Sequence, residues 1–153
     1  MKIASILENQ KNEKRIAITP EIAKKYISLG IEVSLCENYA IHLGIKDEEY
    51  KDLGVLILKN EKEIVSNVDV IVQLGLPDED KISLIKENQT LIGVLNPYDN
   101  KDKISELNKK KINIFSLELL PRITRAQSMD ILSSQANLAG YKAVVESFAN
   151  FEK

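Results

Sequence analysis

Short apolar runs alternate with amphipathic segments along most of the chain. The run Lys2–Leu7 is followed by a polar stretch, and Thr19-Pro20-Glu21 then introduces apolar residues at helical spacing that stop at Gly30. A threonine can cap a helix, proline suits its first position, and glycine suits the position after its end. Across residues 31–36 apolar and polar side chains alternate, as in a strand with one face less buried. The pattern therefore predicts a strand, a helix and a second strand.

The same alternation continues to about residue 120. Near-continuous apolar runs such as Val70-Ile71-Val72 suit strands that are covered on both faces. Strands that alternate with helices imply right-handed crossovers in a parallel sheet. We therefore expect an α/β fold with a doubly wound, largely parallel six-stranded sheet, either Rossmann-like or flavodoxin-like. The other predicted helices are 47–53, 61–67, 78–87 and 99–110, and the other predicted strands are 54–58, 68–74, 90–95 and 112–117.

Pro121 marks the end of the predicted α/β domain, residues 1–120, because proline cannot extend a strand comfortably. From Ser128 to about Phe151 the sequence predicts one long helix that leaves this domain. Residues 121–153 are therefore expected to form a loop and a long C-terminal linking helix. The apolar stripe of that helix consists of Met129, Leu132, Ala136, Ala139, Ala143 and Val144.

Polar side chains cluster where this helix would begin. Gln127, Asp130 and Ser133 are three residues apart, so they would share one edge of the helix beside the loop that carries Arg122. Such an edge could bind an amide, a ribose hydroxyl or a phosphate. An equally simple explanation is that Asp130 and Ser128 cap the helix.

Composition and charge narrow the function classes. With 21 basic and 23 acidic residues the formal net charge is -2, so the chain has no broad basic surface for nucleic acid. No apolar run approaches the ~20 residues of a membrane span, and the N-terminus has no signal-peptide core. Cys36 is the only cysteine, which excludes an internal disulfide and favours a reducing, cytoplasmic compartment.

Ligands of doubly wound folds bind at the carboxyl ends of the strands. The glycines form no G-x-G-x-x-G turn, so the chain has no anchor of its own for nucleotide phosphates. Arg15 follows the loop after the first strand, where its guanidinium could hold a carboxylate or phosphate or form a structural salt bridge. We interpret the single histidine, His42, as structural rather than catalytic. No metal site is expected, and no residue is predicted to be catalytic.

Two segments carry a resemblance to a known family. They are Lys11–Pro20, KNEKRIAITP, and Pro121–Asn137, PRITRAQSMDILSSQAN. On these motifs the chain resembles the N-terminal part of the alpha subunit, domain I, of proton-translocating NAD(P) transhydrogenase, a relative of alanine dehydrogenase. The likeness extends over essentially all 153 residues. The RAQSMD motif is very specific, whereas the R-x-A-x-T-P motif is shared with the dehydrogenases.

The resemblance implies a cofactor, partners and a site. NAD(H) would lie in a cleft between this domain and a following Rossmann domain, and hydride would pass to NADP held by a separate partner domain. By motif match the cofactor-binding residues are Arg122, Gln127, Asp130 and Ser133. Gln127 and Asp130 would orient the nicotinamide amide and the ribose, and Arg122 would support the ring. The resemblance also implies a cytoplasmic homodimer, peripheral to the inner membrane through a membrane proton channel.

The resemblance further implies that the chain stops within a helix leading to that Rossmann domain. The glycine-rich turn for the pyrophosphate would then lie outside the chain. We therefore expect the fragment alone to be inactive and to bind NAD weakly or not at all.

Proton-transfer groups distinguish the two related enzymes. Alanine dehydrogenases have a lysine two residues before the proline that follows the fourth strand, and a histidine after the fifth strand; here Gly75 and Asn96-Pro97-Tyr98 stand there. Deamination of an amino acid needs proton transfer, whereas hydride transfer between two nicotinamides needs orientation and exclusion of water. We favour a transhydrogenase, with an alanine dehydrogenase-like enzyme and a non-catalytic binding or assembly module as alternatives. Arg15 matches the arginine that holds the substrate carboxylate in alanine dehydrogenase, so its role here stays open.

Overall fold

The structure is a computed structural model in which residues 1–151 are described. The chain separates into two compact units, Met1–Ser116 and the residues from Leu117 onward. Strands are β1 (Lys2–Ser5), β2 (Glu32–Cys36), β3 (Leu56–Leu58), β4 (Val70–Val72), β5 (Thr90–Gly93) and β6 (Asn113–Ser116). Helices are α1 (Pro20–Ser28), α2 (Asp47–Asp52), α3 (Glu61–Ser66), α4 (Glu79–Leu84), α5 (Lys101–Lys109) and α6 (Ile131–Ala149). Short 3-10 helices occupy Ile41–Leu43, Leu117–Leu119 and Thr124–Met129.

Helix α1 begins and ends as the sequence predicts. The Thr19 hydroxyl oxygen accepts the N–H of Ile22 at 3.3 Å, and Pro20 stands at the first helical position. Beyond the helix Gly30 has a φ of +75°, in the left-handed region that costs glycine little. The cap, the proline and the glycine therefore set the limits of this helix.

The six strands form one parallel sheet in the order β3-β2-β1-β4-β5-β6. The predicted doubly wound α/β fold is confirmed, and the strand order is the Rossmann order rather than the flavodoxin order. In register, Ile3 of β1 lies beside Val33 of β2 and Val70 of β4. The order reverses between β1 and β4, and the carboxyl ends of these two strands border the topological switch point, where ligands of such folds bind.

The core lies on both faces of the sheet. Ile3 belongs to one buried cluster and its neighbour Ala4 to the other, because successive strand residues point to opposite faces. One cluster includes Ala23 of α1 and Tyr50 of α2. The other cluster includes residues of the remaining helices of this unit: Ile64 and Val65 of α3, Ile82 of α4 and Leu107 of α5.

Several strands are shorter than the apolar runs that predict them. The strand within the run Lys2–Leu7 covers Lys2–Ser5, and the strand within the run 68–74 covers Val70–Val72. Ile6 and Val68, outside these strands, are nevertheless buried. Apolar runs therefore mark core contact, which extends past the ends of the strands.

The prediction of one helix starting at Ser128 is wrong. A 3-10 helix covers Thr124–Met129, Asp130 has an extended backbone (φ -74°, ψ 92°), and α6 begins at Ile131. The physical reason is the cap, since an extended Asp130 lets its carboxylate reach the N–H of Ser133. Gln127 and Ser128 therefore belong to the 3-10 helix rather than to α6.

No residue of α6 is buried. The stripe predicted on one side of the helix understates its apolar surface, since large apolar side chains elsewhere along it are also exposed: Leu138, Tyr141, Val145 and Phe148. Among the described residues, no helix is long and apolar enough to cross a membrane.

Candidate functional site

The four side chains predicted to bind a cofactor line one open groove in the C-terminal unit. Its volume is about 360 Å³, within the range usual for ligand pockets. The residues that border it are Arg122, Ile123, Thr124, Gln127, Asp130 and Ser133. The groove therefore contains a cation, a carboxylate, an amide and two hydroxyl groups.

The three-residue spacing brings these side chains together even though one helix does not carry them all. In a 3-10 helix the side chains at i and i+3 lie one above the other. Gln127 is near the end of the 3-10 helix, Asp130 follows three residues later at the α6 cap, and Ser133 occupies the first turn of α6. The side chains therefore border a common groove across the change from one helix type to the other.

Asp130 is the N-cap of α6. One carboxylate oxygen accepts the backbone N–H of Ser133 at 3.1 Å, and the other accepts the Ser133 hydroxyl at 2.6 Å. The hydrogen bond from the Ser133 side chain, followed by that from its backbone, lowers the pKa of Asp130, and Arg122 adds a smaller contribution of the same sign. The capping role proposed for Asp130 is thus observed. Ser128, the other proposed cap, lies two residues earlier, within the 3-10 helix.

A second cleft lies at the topological switch point of the sheet. Its volume is about 100 Å³, and its charged borders are Glu8, Glu13, Asp78 and Lys81. The sequence pointed to the carboxyl ends of all the strands but offered no reason to select Glu8. Only the sheet order brings Glu8 beside residues 73–75.

The Glu8 carboxylate is held by the end of β4. Its Oε1 accepts the backbone N–H of Leu74 at 2.5 Å and the side-chain N–H of Gln73 at 3.2 Å. Burial raises the pKa of Glu8, against a lowering by the backbone amides of Leu74 and Gly75, because desolvation disfavours the charged carboxylate. Glu8 is thus a desolvated acid at the position where doubly wound folds bind ligands.

The charged amino group of Lys81, at the border of the same cleft, is bound by two acceptors. Its Nζ donates to the Leu7 carbonyl at 2.8 Å and to Glu61 Oε1 at 3.0 Å, in a largely buried ion pair. Cys36 lies 3.8 Å from the same Glu61 oxygen, and burial, aided by this carboxylate, raises the pKa of its thiol to about 12. Cys36 is therefore a thiol at neutral pH and not a nucleophile.

Arg15 forms the structural salt bridge that was one of its two predicted roles. Its Nε and Nη2 donate to the two oxygens of Glu13 at 2.9 and 2.7 Å, and its backbone N–H donates to the same carboxylate. The side-chain hydrogen bond from Arg15 lowers the pKa of Glu13. Arg15 thus makes with Glu13, a residue of the same loop, the bidentate contact that could have held a ligand carboxylate or phosphate.

His42 joins two segments of the N-terminal unit. Its Nε2 lies 2.8 Å from the Lys14 carbonyl and its Nδ1 lies 3.2 Å from Gln10 Nε2. Since a carbonyl only accepts, Nε2 carries the proton and Nδ1 accepts from Gln10. These two contacts give His42 a structural role.

Among the described residues, no group of three or more His, Cys, Asp or Glu side chains could hold a metal ion. The strand order and the polar groove define the class: a doubly wound α/β domain of Rossmann order whose sequence lacks the glycine-rich phosphate turn. The chain belongs to the family described as alanine dehydrogenase/PNT, N-terminal domain, whose model matches residues 6–139.

Several of the similar proteins are transhydrogenases. The chain is 39% identical, over its whole length, to an NAD(P) transhydrogenase subunit alpha protein of Rickettsia prowazekii, of which it covers 41%. The protein of the same name from Rhodospirillum rubrum is also 39% identical and 41% covered. The crystal structure of transhydrogenase from Sinorhizobium meliloti matches with a TM-score of 0.88 and 37% identity, covering 99% of this chain and 45% of that one. The chain thus spans less than half the length of these relatives.

Proposed function

We propose that this chain is the N-terminal part of the NAD(H)-binding component of a proton-translocating NAD(P) transhydrogenase, which passes hydride from NADH to NADP. The observation that carries the proposal is the groove, because Arg122, Gln127, Asp130 and Ser133 border one opening. The family and the transhydrogenase relatives support the same assignment.

The groove has the donor and acceptor set that a nicotinamide and its ribose need. Gln127 offers an amide that can both donate to and accept from a carboxamide, and Asp130 offers acceptors for ribose hydroxyls. Asp130 is already fixed by Ser133, so its carboxylate needs little reorganisation on binding. Arg122 places a cation at the border of the groove. When bound, the nicotinamide ring supplies the hydride that is transferred.

The absence of two proton-transfer side chains favours a transhydrogenase over an alanine dehydrogenase. Gly75 has no side chain, and Asn96 has no group that titrates near neutral pH, at the two places where the dehydrogenases have lysine and histidine. In this proposal the residues of the groove position the ring and exclude water, and none of them moves a proton.

The proposed partners follow from the transhydrogenase assignment. They are a second copy in a homodimer, an NADP-binding domain and a membrane proton-channel domain that would keep the component at the cytoplasmic side of the inner membrane. The exposed apolar surface of α6 supports the need for a covering partner. The same surface favours the second candidate function, a non-catalytic assembly module.

The test is hydride transfer in a complete transhydrogenase that carries this sequence. Gln127→Ala should slow transfer strongly while leaving the fold intact, because Gln127 is exposed and contributes nothing to the core. Asn137→Ala is the matched control, an exposed amide of α6 that does not border the groove. Equal rates for both variants would remove Gln127 from the site, and turnover of pyruvate, ammonia and NADH would favour an alanine dehydrogenase.

NADH titration separates the enzyme from the assembly module. The 153-residue chain and the complete subunit are compared by isothermal titration calorimetry. Tight binding by the complete subunit supports the enzyme. Failure of both proteins to bind supports the module.

A further inference from the structure

Four polar side chains form a continuous hydrogen-bonded path through the core of the N-terminal unit. The Tyr39 hydroxyl donates to Ser5 Oγ at 2.8 Å, and the Ser5 hydroxyl donates to Gln73 Oε1 at 2.9 Å. Gln73 Nε2 then donates to Glu8 Oε1 at 3.2 Å. Tyr39, Ser5 and Gln73 are 1%, 0% and 3% exposed, whereas Glu8 borders the switch-point cleft. The path thus runs from the interior to the cleft.

The direction of every link is fixed by the donors around it. The N–H of Ile6 donates to Gln73 Oε1 at 2.9 Å, so this atom is the amide oxygen and the nitrogen faces Glu8. Because the Ser5 proton goes to Gln73, Ser5 must accept from Tyr39. The Tyr39 oxygen in turn accepts the N–H groups of Ala17 at 3.0 Å and Ile18 at 3.2 Å, just before α1.

We propose that Tyr39, Ser5, Gln73 and Glu8 form a hydrogen-bond relay that couples the charge of Glu8 in the switch-point cleft to the backbone before α1. An ionised Glu8 polarises the Gln73 amide. The hydrogen bond from Ser5 to Gln73 and then that from Tyr39 to Ser5 become stronger, because hydrogen bonds in a chain strengthen one another. The relay ends on Ala17 and Ile18, within the segment that carries the R-x-A-x-T-P motif. Its members are positioning residues.

Other charged groups also lie near Glu8, so the effect of the relay must be distinguished from their electrostatic effects. Glu13 and Arg15 belong to the same loop as Glu8, Asp78 and Lys81 border the cleft from α4 and its cap, and Glu61 of α3 pairs with Lys81. None of these groups lies on the hydrogen-bonded path. A change to the relay that leaves every charge in place therefore tests it cleanly.

Ser5→Ala is such a change, because it interrupts the path in the middle and alters neither the Glu8 carboxylate nor the backbone of Ala17 and Ile18. The experiment is a pH titration of the 153-residue chain by NMR, following the Glu8 side-chain carbon and the amide groups of Ala17 and Ile18. In the unaltered chain the two amides should follow the midpoint of Glu8, and Glu8→Gln should abolish their response. In Ser5→Ala the Glu8 carbon should still titrate while the response of Ala17 and Ile18 is lost.

Tyr50→Phe is the matched control. Tyr50 is equally buried and its hydroxyl donates to the Ile18 carbonyl at 2.9 Å, but it is not on the path. The variant should keep the coupled response of Ala17 and Ile18. The relay is refuted if these amides ignore Glu8 in the unaltered chain, or still follow it in Ser5→Ala.

Tyr39→Phe is the variant to use if Ser5→Ala does not fold. It removes the hydroxyl that donates to Ser5 and should therefore shift the titration midpoint of Glu8. Tyr50→Phe should leave that midpoint unchanged. Equal Glu8 midpoints in the two phenylalanine variants would also overturn the relay.

Discussion

The groove of the C-terminal unit and the switch-point cleft of the N-terminal unit are built in opposite ways. The groove takes all its borders from Arg122–Ser133, and its side chains are largely exposed. The cleft joins Glu8 to Gln73, 65 residues away in sequence, and rests on a buried polar network. A short exposed motif can therefore be found in the sequence, whereas a site assembled from distant strand ends requires the sheet order.

The largest contrast between the two units should appear in stability. Leu91 of β5 is 0% exposed in the core of the N-terminal unit, whereas Leu138 is 62% exposed on α6. Leu91→Ala should lower the free energy of unfolding by about 2–5 kcal/mol because it removes buried contacts and leaves a cavity. Leu138→Ala should change it by less than about 0.5 kcal/mol. Urea unfolding of both variants measures the difference, and similar losses would contradict the described burial.

The same substitution at two glutamines sharpens the comparison. Gln73→Leu leaves the Ser5 hydroxyl and the Ile6 N–H without their acceptor, at a cost of about 1–3 kcal/mol for each unpaired group. Gln127→Leu leaves no such buried group and should cost less than about 0.5 kcal/mol. Urea unfolding of the isolated chain is the measurement. A Gln73 variant as stable as the Gln127 variant would count against the buried network.

The cleft and the groove each contain a carboxylate with a shifted pKa, and the shifts have opposite signs. Burial raises the pKa of Glu8, so its contribution to folding is fully present below the ordinary value of 4.5 and is lost as pH rises through the raised value. Glu8→Gln should remove this decline from the pH profile of unfolding free energy. An unchanged profile in that interval would mean that Glu8 is solvated in the folded chain.

Asp130 should show the reverse pH dependence, on a smaller scale. Its hydrogen bonds with Ser133 lower its pKa, so its contribution is present above the ordinary value of 3.8 and is lost as pH falls through the lowered value. Asp130→Asn should keep a cap that does not titrate, whereas Asp130→Ala should lose helical circular dichroism at all pH values. Ser128→Ala, two residues earlier, is the control and should leave the signal unchanged.

Local signals made the elements of the fold predictable. Thr19, Pro20 and Gly30 gave the limits of α1, and the apolar runs gave all six strands. The strand order was not predictable, because an apolar run does not identify the strand beside it. Strand lengths were overestimated for a different reason, since Ile6 and Val68 are buried although they lie outside the strands.

The groove, like the individual elements, could be predicted from local sequence, whereas the switch-point cleft, like the strand order, could not. Arg122, Gln127, Asp130 and Ser133 were selected from one motif, and they line one groove, although their role with a cofactor stays a prediction. The break before α6 was missed because Asp130 is compatible with a helix interior and with a cap, and only its extended backbone decides between them. Glu8 was missed because its importance comes from donors at residues 73–75.

We propose above all that the groove holds the nicotinamide end of NAD(H). The most direct measurement is a crystal structure of a complete transhydrogenase carrying this sequence, with NADH bound. We expect the nicotinamide carboxamide to lie within hydrogen-bonding distance of Gln127 and the adjoining ribose to contact Asp130. A nicotinamide ring bound elsewhere, with Gln127 and Asp130 facing only solvent, would contradict it.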